Sequence, residues 1–289
     1  MDNMIPVLGI PHFNRLDLLR RCIQSIDYPV DKLVIVDQGP VTATSPRSSL
    51  RSYDQTSWPS SPKAERETGD QPENIQHSTF NAQHPIKETI IIRHPNAGVA
   101  GAWNEIIKLF PGDSGHWWLI ANDDIQFAPG DLQRMSAECG VWSAKCGILY
   151  GNHGASFFAL TRYGVEKVGL FDENIYPAYL EDCDWSYRAD LLGVRRMALP
   201  GCLAVHGGPR DAHAPSSAGE GWLSGSCTVN SDPVLREKNM RTHGANFNYY
   251  RAKWGGINGQ EQYKTPFNDP HWPVWAWKFD PEFRQRQQW

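Results

Sequence analysis

Hydrophobic and polar positions at the start of the chain follow a strand, helix, strand order. Met4 to Ile10 is apolar and β-prone. From Leu16 to Ile26, the residues Leu18, Leu19, Cys22, Ile23 and Ile26 recur at helical spacing and define one buried face. Leu33 to Val36 is a short apolar run ending in Asp37, the pattern of a parallel strand buried on both faces. Two strands joined by a helix predict a right-handed crossover. Residues 40–88 are largely polar, rich in Ser, Pro, Thr and Gln, and read as an insertion in which a short helix can form near Lys63 to Glu67. Regular patterning returns with a strand at Thr89 to Arg93, a helix at Val99 to Leu109 and a strand at Trp117 to Ala121. Further elements are expected at Ser156 to Thr161 (strand), Asp184 to Leu192 (helix) and Leu203 to His206 (strand). Residues 245–289 read as an aromatic, Pro/Gly-rich extension, set apart from a domain spanning 1–244. The alternation of strands and helices predicts an α/β fold with a Rossmann-type mixed sheet flanked by helices.

Composition changes this picture little. The chain has 289 residues, 40% of them hydrophobic and 21% charged, with a net charge of -4. That balance fits a globular α/β protein and gives no overall attraction to nucleic acid or anionic lipid. No apolar stretch is long enough to span a bilayer, and Met1 to Arg15 lacks the basic, apolar and small-residue regions of a secretory signal. The 6 cysteines are scattered with no C-x-x-C pair, which favours reduced thiols in a cytoplasmic protein over a zinc knuckle or disulfide framework.

Four clusters carry candidate chemistry. Asn122-Asp123-Asp124 follows a buried strand directly, so it falls at the carboxyl edge of the sheet, where open α/β folds bind ligands. Hard oxygen ligands there suit Mg²⁺ or Mn²⁺, whereas an Asx-turn leading into Pro129-Gly130 explains the same residues without a ligand. Glu181-Asp182-Cys183-Asp184-Trp185 puts three carboxylates at a helix start, more than a cap requires, and supplies a candidate general base. His206 ends a strand and precedes Gly207-Gly208, which free the backbone to turn over a site. Asn96 to Asn104 offers small residues at a helix N-terminus, suited either to a ligand's approach or to tight helix packing. Residues 207–230 form a Gly- and Ser-rich loop that could close over a bound ligand, and Tyr249, Tyr250, Trp254, Trp272, Trp275 and Trp277 could stack on an acceptor or pack the extension. Cations among aromatics in Tyr250 to Gly256 keep a nucleic-acid acceptor in play.

Taken in order, these pieces resemble the family 2 glycosyltransferases of the GT-A fold. The likeness rests on Ile10 to Arg15, Val36 to Gly39, Asn96 to Asn104, Asn122 to Asp124, Glu181 to Trp185 with Arg188, and His206. It implies an inverting enzyme that uses a nucleotide diphosphate sugar, by default a UDP-sugar, with Mn²⁺ or Mg²⁺ on the diphosphate. The resemblance assigns Pro11, Asn14 and Asp37 to the nucleotide pocket, with Asn96, Asn104 and Asp123 beside it. It assigns Asp124 and His206 to the metal, Asp182 to the general base, and Glu181 or Asp184 to positioning. Asn122 departs from the family's acidic first position, and the insertion is longer than the family's usual connection. A glycan is the expected acceptor, with a hydroxylated nucleobase in DNA as the alternative. A nucleotidyltransferase and an inactive nucleotide-sugar-binding protein are the rivals; the first lacks its Gly-rich basic loop after the first strand.

Overall fold

The computed structural model describes residues 4–39, 74–79, 85–94, 96–110, 116–142, 146–209, 222–224, 227–228, 233–272 and 274. The helix expected near Lys63, residues 210–221 of the Gly- and Ser-rich loop, and Trp275 and Trp277 lie outside them.

Eight strands form the main sheet. They are β1 (Ile5–His12), β2 (Val30–Asp37), β3 (Asn74–Thr79), β4 (Ile86–Arg93), β5 (Trp117–Ala121), β7 (Cys146–Gly151), β8 (Gly154–Thr161) and β9 (Arg195–Ala198), in the order β3-β4-β2-β1-β5-β8-β7-β9. The β4-β2-β1-β5 block is parallel, and β3 and β8 run antiparallel to its two outer strands. The sheet is therefore mixed, as the α/β reading expects. The insertion is not wholly irregular, because β3 and the start of β4 fall inside 40–88.

Strict alternation in the central strands builds two apolar layers. Leu33 and Ile35 of β2 and Trp117, Leu119 and Ala121 of β5 face one layer, with α1 (Leu16–Gln24) and α3 (Asp131–Trp142) above them. Val34 and Val36, with Trp118 and Ile120, face the other, covered by α2 (Gly98–Leu109), α4 (Arg162–Val168) and α5 (Glu181–Leu191). Gly9 lets α2 sit close, since a Cβ there would lie 2.5 Å from Ile106.

The expected strand at Leu203 to His206 appears as β10 (Val205–Pro209), but it does not join the main sheet. It pairs with β6 (Ile125–Gln126) and β11 (Trp222–Ser224) in a separate three-stranded sheet. The long helix α6 (Pro233–Trp254) runs through the expected boundary at 244/245. Its Tyr250 and Trp254 are fully buried against Ile175 and Leu180, so this part of the tail packs as core and is not a separate appendage. Among the described residues no helix is long and apolar enough to cross a membrane.

Candidate functional site

The parallel block has a switch point. From β1 the chain builds outward through β2 and β4 on one side, then returns to place β5 on the other. Loops leaving the carboxyl ends of β1 and β5 diverge there and open a crevice. A cavity of about 540 Å³ occupies it, lined by Pro11 and His12 at the end of β1, Gln38 after β2, Asn96 after β4, and Asn122 to Asp124 after β5. Glu181 and Asp182 close it from the start of α5.

The acidic loop is a turn and a charge cluster at once. Ile125 N donates to Asn122 O at 3.1 Å, which closes the turn and leaves the two aspartates buried beneath the cavity. Asp123 takes His12 Nδ1 at 2.9 Å on one oxygen and accepts from Thr228 Oγ1 at 3.0 Å on the other. Burial raises the Asp123 carboxyl above the ordinary range, and the His12 and Thr228 bonds offset only part of this. Asp124 accepts from Cys227 N at 2.7 Å through Oδ2, while its Oδ1 lies 3.2 Å from His206 Nε2. The β6–β10 pairing fixes that approach, because it sets His206 opposite Ile125 and Gly207 N on Asp124 O at 2.8 Å.

The donor set at Asp124 and His206 fits a divalent ion. Two ligands in adjacent octahedral positions, each about 2.1 Å from the ion, stand about 3 Å apart; Oδ1 and Nε2 already stand 3.2 Å apart. Among the described residues no group of three or more His, Cys, Asp or Glu side chains is arranged to hold an ion.

Across the cavity, α5 begins abruptly. Tyr179 and Leu180 both take left-handed φ, 74° and 84°, and turn the chain so that Glu181 and Asp182 face the cavity at once. The preceding loop is clamped: Val99 N donates to Pro177 O at 2.8 Å, and Asn246 Nδ2 of α6 donates to Ala178 O at 3.0 Å. Gly98 has φ 74°, and a Cβ there would lie 2.6 Å from Pro177 O, so the clamp requires glycine. Glu181 is buried, and its Oε2 has no hydrogen-bond partner. Burial, and then the neighbouring Asp182 charge, push its pKa up to about 8. Asp182 is part-exposed and accepts from Cys183 N at 2.8 Å.

Five expected site residues are not in the cavity lining; one of them is His206, which contacts the lining residue Asp124. Asp184 is fully buried, bonded to Arg188 Nε at 2.9 Å, Lys253 Nζ at 2.6 Å and Trp254 Nε1 at 2.8 Å. Burial alone would raise its pKa, but the two cations outweigh that and hold it low. Asp184 therefore anchors α5 to α6. Asn104 is equally buried, donating to Phe171 O at 2.9 Å and accepting from Phe171 N at 2.9 Å. Asp37 is held by Arg93 Nη1 at 2.8 Å and Gly39 N at 3.1 Å, and Asn14 shapes the turn after β1 with φ 57°. The Tyr250 to Gly256 run offers no stacking face: both rings are buried, and Lys253 is neutralised by Asp172 and Asp184. His12, Gln38 and Thr228 are cavity residues that carried no assigned role in the sequence. His12 lies inside the Ile10 to Arg15 stretch, but its partner is 111 residues away, so local pattern carries no sign of the pairing.

No family model matches the chain. A stretch of 52 residues, 17% of the chain, is 46% identical to a galactofuranosyl glycosyltransferase of Leishmania donovani. That stretch spans only 12% of the relative's own length. The partial likeness suggests a glycosyltransferase and goes no further toward a family, donor or mechanism.

Proposed function

We propose that the chain is a GT-A-type inverting glycosyltransferase. It takes a nucleotide diphosphate sugar into the switch-point cavity and passes the sugar to an acceptor hydroxyl at Asp182. One observation carries the reading: Asp124, with His206 Nε2 3.2 Å from its carboxylate, and a part-exposed carboxylate, Asp182, line one crevice at the carboxyl edge of a parallel block. The partial likeness to a glycosyltransferase points the same way.

Asp124 and His206 would hold Mn²⁺ or Mg²⁺, which when bound offsets the charge gathering on the departing diphosphate. Pro11, Gln38 and Asn96 line the cavity and would receive the base and ribose. Asp123, fixed by His12 and Thr228, supports the turn beneath them. Asp182 accepts the acceptor's hydroxyl proton as that oxygen bonds to the anomeric carbon. The bond from the anomeric carbon to the diphosphate oxygen breaks in the same step, its electron pair leaves with the nucleoside diphosphate, and the configuration inverts. Glu181, neutral at pH 7, donates a hydrogen bond to the sugar from its buried position. A UDP-sugar donor and a glycan acceptor are the default substrates of this proposal.

Thermal denaturation with UDP, GDP, CDP, ADP and dTDP, each with and without Mn²⁺, tests it. A nucleotide binding only the folded chain adds about 2.7 kcal/mol of stability at a hundredfold excess over Kd. A shift for one nucleotide that requires Mn²⁺ is expected. Absence of a shift with all of them removes the donor site and with it the proposal.

A further inference from the structure

A second cavity of about 360 Å³ adjoins the first, and Asp182, Gly154 and Ala155 line both. Its floor is one stripe of α5: Asp182, Ser186 and Asp190 follow at four-residue spacing and share a face. Across from them, Tyr150 of β7 sets its hydroxyl 3.1 Å from Ser186 Oγ. Arg196 of β9 grips Asp190 through two bonds of 2.9 and 2.7 Å, so its charge is already matched. The remaining wall, Asn258 and Glu261, comes from the segment after α6.

That segment is built into the molecule. Gln262 N and Tyr263 N both donate to Trp254 O at 2.9 Å, and the Glu261 carboxylate accepts from Tyr250 Oη. Tyr187 Oη of α5 donates to Tyr263 O at 2.8 Å, tying wall to floor. The cavity thus combines hydroxyls, an amide and carboxylates, which pair with the hydroxyl groups of a sugar. Among the described residues, its formal charges are Asp182, Asp190 and Glu261 against Arg196. A phosphate or carboxylate brought here would meet uncompensated like charge.

We infer that this second cavity is the acceptor site and that it takes an uncharged, polyhydroxylated sugar unit, with phosphate-bearing acceptors, DNA included, excluded by its acidic wall. This rests on the glycosyl-transfer reading, since it is Asp182 that makes the cavity an acceptor site.

Saturation-transfer NMR on the full chain tests the inference, using methyl hexosides, the matching hexose 6-phosphates and a short DNA duplex as probes. Each is measured with and without Mn²⁺ and the nucleoside diphosphate panel. At least one methyl hexoside should receive saturation, and the 6-phosphate of the same sugar should bind about tenfold more weakly. Asn258 is exposed, so Asn258→Trp fills the cavity mouth without touching the core and should abolish the hexoside signal, while Asn258→Ala keeps it. Three results would overturn the inference: no hexoside signal in any condition, equal signals in Asn258→Trp and the parent, or phosphates or DNA binding as well as the neutral sugars. Hexoside binding without any nucleotide-dependent thermal shift would leave a sugar-binding cavity and remove the glycosyl-transfer reading. A nucleotide shift without hexoside binding would do the reverse.

Discussion

Glu181 and Asp182 are neighbours in sequence with opposite surroundings, one buried with an unpartnered oxygen and the other part-exposed at the junction of two cavities. For Glu181 the folded pKa, about 8, lies above the ordinary value of 4.5, so the folded state holds the proton more tightly. Stability from this group is fully present below pH 4.5 and is lost as pH rises toward 8, at up to about 1.4 kcal/mol per pH unit. Glu181→Gln should flatten that slope, which melting temperatures of variant and parent from pH 5 to 9 will read. Identical slopes would mean that Glu181 is ionised when folded. Asp182→Asn keeps the shape and removes the base, so turnover should fall by about 10² to 10⁴ while nucleotide binding persists. Near-parent turnover would remove Asp182 from the chemistry. Asp124, Asp182 and His206 stand out in the sequence as candidates because acids directly after a strand or at a helix start, and a histidine before two glycines, are locally conspicuous. Asp184 looked equivalent to Asp182, because position on a helix does not reveal partners 70 residues away.

At the scale of elements, the alternating strands β2 and β5 and the helix α1 were readable within a few residues, since each buries a regular apolar face. The helix α6 was not. Its buried face runs through Thr242, Asn246, Tyr250 and Lys253, a mostly polar series at helical spacing that apolar periodicity cannot register. These side chains are buried because they bond to the loop and helix that carry Glu181 and Asp182: Asn246 to Ala178 O, Lys253 to Asp172 and Asp184. Asp172 and Asp184 are matched by Lys253 and Arg188, so removing one cation leaves a buried negative charge. Lys253→Met should destabilise the fold by about 3–5 kcal/mol, measurable by chemical denaturation. A loss under 1 kcal/mol would mean that the pair is solvated and α6 is not an anchor. The short strand β6 was also illegible, because two residues give no period; only its pairing with β10 reveals it.

For the whole molecule, the mixed α/β plan was legible and the division of labour along the chain was not. An aromatic tail suggested a boundary at 244/245, yet that point lies in the middle of α6, and the cluster of Ile175, Leu180, Tyr250 and Trp254 spans both sides. A chain cut after residue 244 should lose cooperative unfolding, since the cut leaves Asp172 and Asp184 without Lys253 and removes two fully buried aromatic side chains. Circular dichroism melting reads this directly; a sharp transition in the shortened chain would show that α6 is dispensable.

The distance in sequence between Asp184 and its partners on α6 also sets a timetable. A ribosome makes α5 before it reaches Trp254, 70 residues later. At about 5–20 residues per second that gap is roughly 4 to 14 seconds. Throughout it, the Asp184 carboxylate has Arg188 but neither Lys253 nor Trp254 to settle against, and the turn at Tyr179 and Leu180 lacks its brace from Asn246. The nascent chain can therefore assemble its central parallel strands early, while the two-cavity crevice takes shape only after α6 has been synthesised.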